Sequence, residues 1–116
     1  MNRAAIYAGT FDPLTLGHLD VVERGRRIFP ELTVAVAASS PKHTIFTLEE
    51  RTDIVRRSVQ AMENVRVETF DGLLVEYARS RGVRVLIRGL RAISDFEFEF
   101  QMALTNRKLA PDIETI

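Results

Sequence analysis

The spacing of apolar positions changes several times along the chain, and each change marks an element. Residues 4–8, AAIYA, are apolar without alternation, as in a strand covered on both faces. Between residues 17 and 29 the period lengthens. Val21, Val22, Gly25, Ile28 and Phe29 fall at i, i+1, i+4, i+7 and i+8, one helical face, and Pro30 stops the helix. LTVAVAA, residues 32–38, predicts a second buried strand, followed by the loop SSPKHTIF. Thr47 with Glu50 forms a capping box, opening a helix that turns Leu48, Val55, Val59 and Met62 inward. VRVETF, residues 65–70, alternates apolar with polar and predicts a half-exposed strand. A third helix carries Leu74, Tyr77 and Ala78 inward and ends at Gly82, before the strand VRVLI at residues 83–87. Ser94 with Glu97 is another capping box, for a helix reaching about Lys108, and IETI after Pro111 begins a fifth strand.

Strands alternating with helices predict an α/β fold: a doubly wound, Rossmann-like parallel sheet with helices on both faces. The one alternating strand belongs at an edge, because its polar positions need water. That placement suits the order 3-2-1-4-5, with strands one and four adjacent at the switch point and the fifth strand cut short, its apolar neighbour left as an exposed edge. Ligands of such sheets bind beyond the carboxyl ends of the strands at the switch point. The loops after Ala8 and after Ile87 are therefore expected to face one crevice.

Composition narrows the partners. The 116 residues, 46% hydrophobic, suit a single domain spanning 1–116. Sixteen basic and sixteen acidic residues cancel, so no global field argues for nucleic acid or an anionic membrane. The apolar runs are too short to cross a bilayer, and MNRAAIYAG lacks the apolar core of a secretion signal. With no cysteine there is no disulfide framework and no thiolate nucleophile; this does not by itself fix the compartment, and a cytoplasmic location is the default expectation. His18 and His43, far apart in sequence, do not make a metal cluster.

The chemistry concentrates in AGTFDPLTLGH, residues 8–18. Gly9 lets the backbone leave the first strand sharply, Thr10 adds a hydroxyl, and Asp12-Pro13 favours a turn that delays the helix. His18 then enters the first turn of a helix, whose unpaired amides and dipole attract phosphate. The loop lacks the lysine of GxxxxGK[ST] and the spacing of GxGxxG. Arg88 and Arg91 bracket Gly89-Leu90 in the facing loop, two forked, permanent cations suited to phosphate. Lys42, after the second strand, is a third cation within reach, and His43 reads as surface. Phe98 lies off the core face of the last helix, either partly exposed or in a subunit contact. Such a set implies catalysis by positioning and electrostatics on a phosphoryl group.

GTFDPLTLGH resembles the signature of nucleotidylyltransferases with an (H/T)-x-G-H motif, here Thr15-Leu16-Gly17-His18. With FTLEER, LIRGLRAISDFEFE and MALTNRKL, the chain from Ile6 to its last residue resembles the phosphopantetheine adenylyltransferase family. The resemblance implies adenylyl transfer from ATP to 4'-phosphopantetheine, giving dephospho-coenzyme A and pyrophosphate. It implies direct attack of the acceptor phosphate on the α-phosphate, with Mg²⁺ held largely by substrate phosphates and water and no protein metal ligand named. By the same resemblance Thr10 contacts both substrates, Phe11 lies against the nucleotide through its backbone, and His18 binds ATP and stabilises the transition state. Lys42 and Arg88 bind phosphopantetheine, with Leu74 lining its site, while Gly89, Leu90, Arg91 and Glu99 border ATP. A homohexamer and feedback by coenzyme A are implied as well.

Two departures stand out. Ala8 occupies a position where the family often has proline, a change the turn accommodates. Family members also continue for several dozen residues, through a serine-rich ISS(S/T) segment that binds ATP, so the chain is expected to lack the family's C-terminal segment and one wall of the site. The alternatives are another nucleotidylyltransferase, with a nicotinate or glycerol phosphate acceptor, or a catalytically silent nucleotide-binding or assembly module. RGLRAISDFE speaks against the first; the missing segment keeps the second open.

Overall fold

The computed structural model describes residues 3–38 and 43–88, and the backbone of residues 114 and 115. The order of elements is β1 (Ala4–Gly9), α1 (Leu16–Ile28), β2 (Glu31–Ala37), α2 (Leu48–Val59), β3 (Val65–Phe70), α3 (Leu74–Ser80), β4 (Val85–Ile87) and β5 (Glu114–Thr115). The strands form one parallel sheet in the order β3-β2-β1-β4-β5, as the alternation of β3 and the continuous apolarity of β1 require. β1 pairs with β2 from Ala4↔Glu31 to Gly9↔Val36, and with β4 from Ala5↔Val85 to Tyr7↔Ile87. β5 meets β4 at Val85↔Glu114 and Leu86↔Thr115. The helix expected at residues 94–108 and Phe98 lie outside the described residues.

Side-chain alternation along the strands splits the core in two. On one face Ala5, Tyr7, Leu32, Val34, Val36 and Val85 pack against Val22 and Phe29 of the α1 end and Val55 and Val59 of α2. On the other, Ile6, Ala8, Ala35 and Leu86 pack against Leu74, Val75 and Ala78 of α3. The sheet is thus doubly wound. At Gly25, α1 comes so close to the sheet that a Cβ would stand 3.3 Å from Ile87 Cδ1 and 3.4 Å from Leu32 Cδ2. This contact sets how closely α1 packs over β2 and β4, on either side of β1. The C-terminal end of α1 is capped from a distance: the Asn64 amide donates to the carbonyls of Arg26 and Phe29 at 2.7 and 3.2 Å.

The helical faces are narrower than the spacing suggests. Ile28, expected inward, is 71% exposed, because successive residues turn by 100° and it falls at the flank of the stripe centred on Val22, Gly25 and Phe29. Met62 lies beyond the end of α2, yet still packs against the core from the following turn. Tyr77 is half-buried rather than inward, stacked on Phe70 with centroids 5.2 Å apart. Its hydroxyl donates to Glu68 Oε1 at 2.5 Å, and Arg81 reaches the same carboxylate at 2.8 Å. The group ties α3 to the edge strand.

Burial, followed by the hydrogen bond to Glu68, pushes the Tyr77 phenol from 10.0 up to about 12. The neutral phenol is the form the fold favours, so its contribution to stability is complete below pH 10.0 and declines as pH rises towards 12. A tyrosinate absorbance titration should contain a component near 12 that Tyr77→Phe removes. Loss of a component near 10 instead would contradict the burial argument.

Candidate active site

The carboxyl end of β1 does not continue as a strand. Past Gly9 the chain runs through Thr10 to Phe11, whose φ of 51° lies in the left-handed region that a side chain adopts only under constraint. The constraint comes from three directions. Phe11 is 3% exposed, its ring edge-on to Tyr7 with centroids 5.3 Å apart. Before it, Arg51 Nη1 donates to the Thr10 carbonyl at 2.9 Å. After it, the Asp12 carboxylate accepts the backbone N–H groups of Ile45 and Phe46 at 2.6 and 2.8 Å. The Asp12–Pro13 peptide bond is cis. Gly9 makes room for this return: a Cβ there would stand 3.1 Å from Phe11 Cζ.

Thr15 is the N-cap of α1, and His18 is the residue three positions on. The Thr15 hydroxyl accepts the His18 backbone N–H at 3.3 Å, and the Thr15 backbone N–H donates to His18 Nδ1 at 2.9 Å. This is a capping box with imidazole where glutamate or glutamine is usual. A ring nitrogen that accepts carries no proton, so the proton of the neutral ring resides on Nε2. Phe11 stands edge-on to the same ring, centroids 5.0 Å apart. A half-buried imidazole of fixed tautomer thus sits at a helix N-terminus, where amides and dipole favour an anion.

The facing loop begins where expected. The ladder between β1 and β4 ends at Tyr7↔Ile87, and the next residue, Arg88, sends Nη1 to the Ala8 carbonyl at 3.0 Å. Arg88, Thr10, Phe11 and His18 therefore share the carboxyl end of the central strand. Leu74 is placed differently: its side chain is in the core beside Val75 and Ala78, while Leu73 before it is 51% exposed. His43 is exposed. Lys42, Gly89, Leu90, Arg91 and Glu99 lie outside the described residues.

Arg51 went unread in the sequence, as did the supporting role of the Phe11 ring and the cross-loop reach of Asp12. Arg51 and Thr52 are 2% and 4% exposed on the inner face of α2, between Leu48 and Val55. A charged residue on an apolar helical stripe was the available signal.

Fold and site together define a nucleotidylyltransferase-type domain: a parallel sheet whose switch point carries a helix-capping histidine and facing arginine. A cytidylyltransferase-like family model matches residues 6–116. The lipopolysaccharide core biosynthesis protein from Thermoplasma volcanium shares the fold, with a TM-score of 0.68 at 20% identity over 97% of this chain and 92% of that one. The chain is 57% identical over 114 residues to the phosphopantetheine adenylyltransferase of Desulforudis audaxviator, covering 98% of this chain and 70% of that protein. It is 53% identical over 115 residues to that of Geobacter metallireducens, covering 99% and 71%. The chain belongs to the phosphopantetheine adenylyltransferase family.

Two glycines of the first loop separate steric need from openness. Gly9→Ala forces the buried Phe11 ring aside and should destabilise by about 1–3 kcal/mol in urea unfolding. Among the described residues a Cβ on Gly17 would meet only Thr15 Oγ1, at 3.6 Å. Gly17→Ala should therefore leave the unfolding midpoint unchanged or slightly raised. Equal losses from the two substitutions would refute this account of the loop.

Proposed function

We propose that the protein transfers the adenylyl group of ATP to 4'-phosphopantetheine, releasing pyrophosphate and forming dephospho-coenzyme A. The observation that carries this reading is the His18 imidazole, held by Thr15 and Phe11 at the N-terminus of α1 with Nε2 as its donor. The names borne by the relatives supply the substrates. An oxygen of the acceptor phosphate forms a bond to the α-phosphorus, and the bond from that phosphorus to the bridging oxygen of pyrophosphate breaks. Charge accumulates on the non-bridging α-oxygens as this happens. His18 Nε2–H donates to one of them, an interaction that strengthens in the transition state.

Thr10 contacts both substrates in this reading, and Arg88, with Lys42, takes the phosphate end of the acceptor. A contact at Leu74 is one of main chain, since its side chain is in the core. Gly89, Leu90, Arg91 and Glu99 border ATP. Among the described residues no three His, Asp or Glu side chains stand together to hold a metal ion, and Asp12 is engaged by two backbone amides. In this reading Mg²⁺ would be held by the phosphates of ATP rather than by these side chains. Bound there, it would neutralise phosphate charge. The proposal extends to a cytoplasmic homo-oligomer with coenzyme A as feedback ligand; among the described residues no helix is long and apolar enough to cross a membrane.

Pyrophosphate release from ATP, Mg²⁺ and 4'-phosphopantetheine tests the reading directly, and its absence would leave a silent nucleotide-binding module. His18→Ala should lower kcat by roughly 10²-fold, about 3 kcal/mol, with a much smaller change in substrate affinity. Near-normal turnover would remove His18 from the mechanism. Arg88→Ala should chiefly raise KM for the acceptor; a loss confined to ATP would contradict its assignment.

A further inference from the structure

The one guanidinium buried on the inner face of α2 has no part in the scheme above. Arg51 is 2% exposed, and its three hydrogen bonds all go to main-chain carbonyls. Nη1 donates to Ala37 at 2.8 Å and to Thr10 at 2.9 Å; Nε donates to Phe46 at 3.2 Å. These carbonyls belong to the end of β2, the turn after β1 and the loop before α2.

Their place in the sheet gives the contacts meaning. The last register pair of β1 and β2 is Gly9↔Val36. Thr10 and Ala37 are the next residues on each strand, where the ladder has stopped because Phe11 turns the chain into the left-handed region. Arg51 thus takes over from the ladder at its first missing step and adds the neighbouring loop. Asp12 binds the same two segments in the opposite sense, its carboxylate accepting from Ile45 and Phe46. Donor and acceptor run both ways between the turn after β1 and the loop before α2. Thr10 leads through Phe11 to the His18 ring, which Phe11 meets edge-on.

We propose that Arg51 is a positioning residue: its fork fixes the Thr10–Phe11 turn, and through it the orientation of the His18 imidazole. The inference rests on the adenylyl-transfer reading for its kinetic consequence but not for its structural one. A planar fork with fixed donor directions meets three carbonyls at once, which the single ammonium of lysine cannot do in the same geometry. A displacement of about 1 Å at the reacting groups is enough to cost roughly 100-fold in rate.

Arg51→Ala and Arg51→Lys, compared well below their melting temperatures, separate this from a merely structural role. Arg51→Ala should lower kcat roughly 100-fold with KM for ATP changed only a few-fold, and Arg51→Lys should fall between it and the parent. Guanidinium ion, added far below unfolding concentrations, should partly restore turnover to the alanine variant. A kcat per folded molecule equal to the parent in either variant would overturn the proposal. So would a loss of activity explained wholly by the unfolded fraction. Parent turnover in the same assay reads the proposed function separately. If the parent itself is silent, ring resonances of Phe11 and His18 still decide: Arg51→Ala should shift both and leave Tyr77 in place, and unchanged rings would overturn the positioning role.

Discussion

A parallel strand that ends at a ligand site must stop being a strand without losing its place. Here the burden falls on the carbonyls at the carboxyl end of β1, and two arginines meet them. Arg88 comes from the β4 side to Ala8, and Arg51 from the α2 side to Thr10. Taking a guanidinium out of water costs several kcal/mol unless its donors are met, so the buried Arg51 is held to the geometry that satisfies it. The carbonyls in turn are held where the arginine needs them. Everything beyond, from the left-handed Phe11 to the capped imidazole of His18, starts from a backbone position secured in this way.

The rest of the fold supports that end. Close packing at Gly25 sets how far α1 stands above the sheet, and Asn64 ties its far end to the turn before β3. The helix is thereby held at a defined distance from β2 and β4 and pinned at its C-terminal end. The reciprocal bonds of Asp12 and Arg51 hold the loop before α2 against the turn after β1. None of these contacts uses a side chain assigned to substrate, apart from the one bond of Arg88. Apart from Arg88, which has a place in both, support and the proposed chemistry fall to different residues at neighbouring positions.

Much of this was legible in the sequence because it depends on local rules. Continuous apolarity marked β1 and β2 as covered strands, alternation put β3 at an edge, and Thr47 with Glu50 announced α2. From those followed the order of the sheet and the place of Arg88 beside the end of β1. What stayed hidden depends on contacts between residues remote in the chain. Asp12 read as a turn former, yet its carboxylate crosses to Ile45 and Phe46. The resemblance gave Phe11 a nucleotide contact through its backbone and said nothing of its ring, which packs in the core against His18. Arg51 shares a helical stripe whose spacing is set by its apolar members, so periodicity alone does not single it out. Ile28 erred the other way, counted inward at the flank of a stripe that is narrower than its spacing implied.

The capping of α1 by an imidazole has an evolutionary side. At the third helical position glutamate or glutamine would complete the box with Thr15 at least as well, and an acidic group there would also suit the helix dipole. For folding alone, histidine is a replaceable choice. A selection for thermal resistance would be free to exchange it, whereas, on the adenylyl-transfer reading proposed above, a selection for turnover would not. Position 18 is thus a point where, on that reading, the demands of folding and of turnover part.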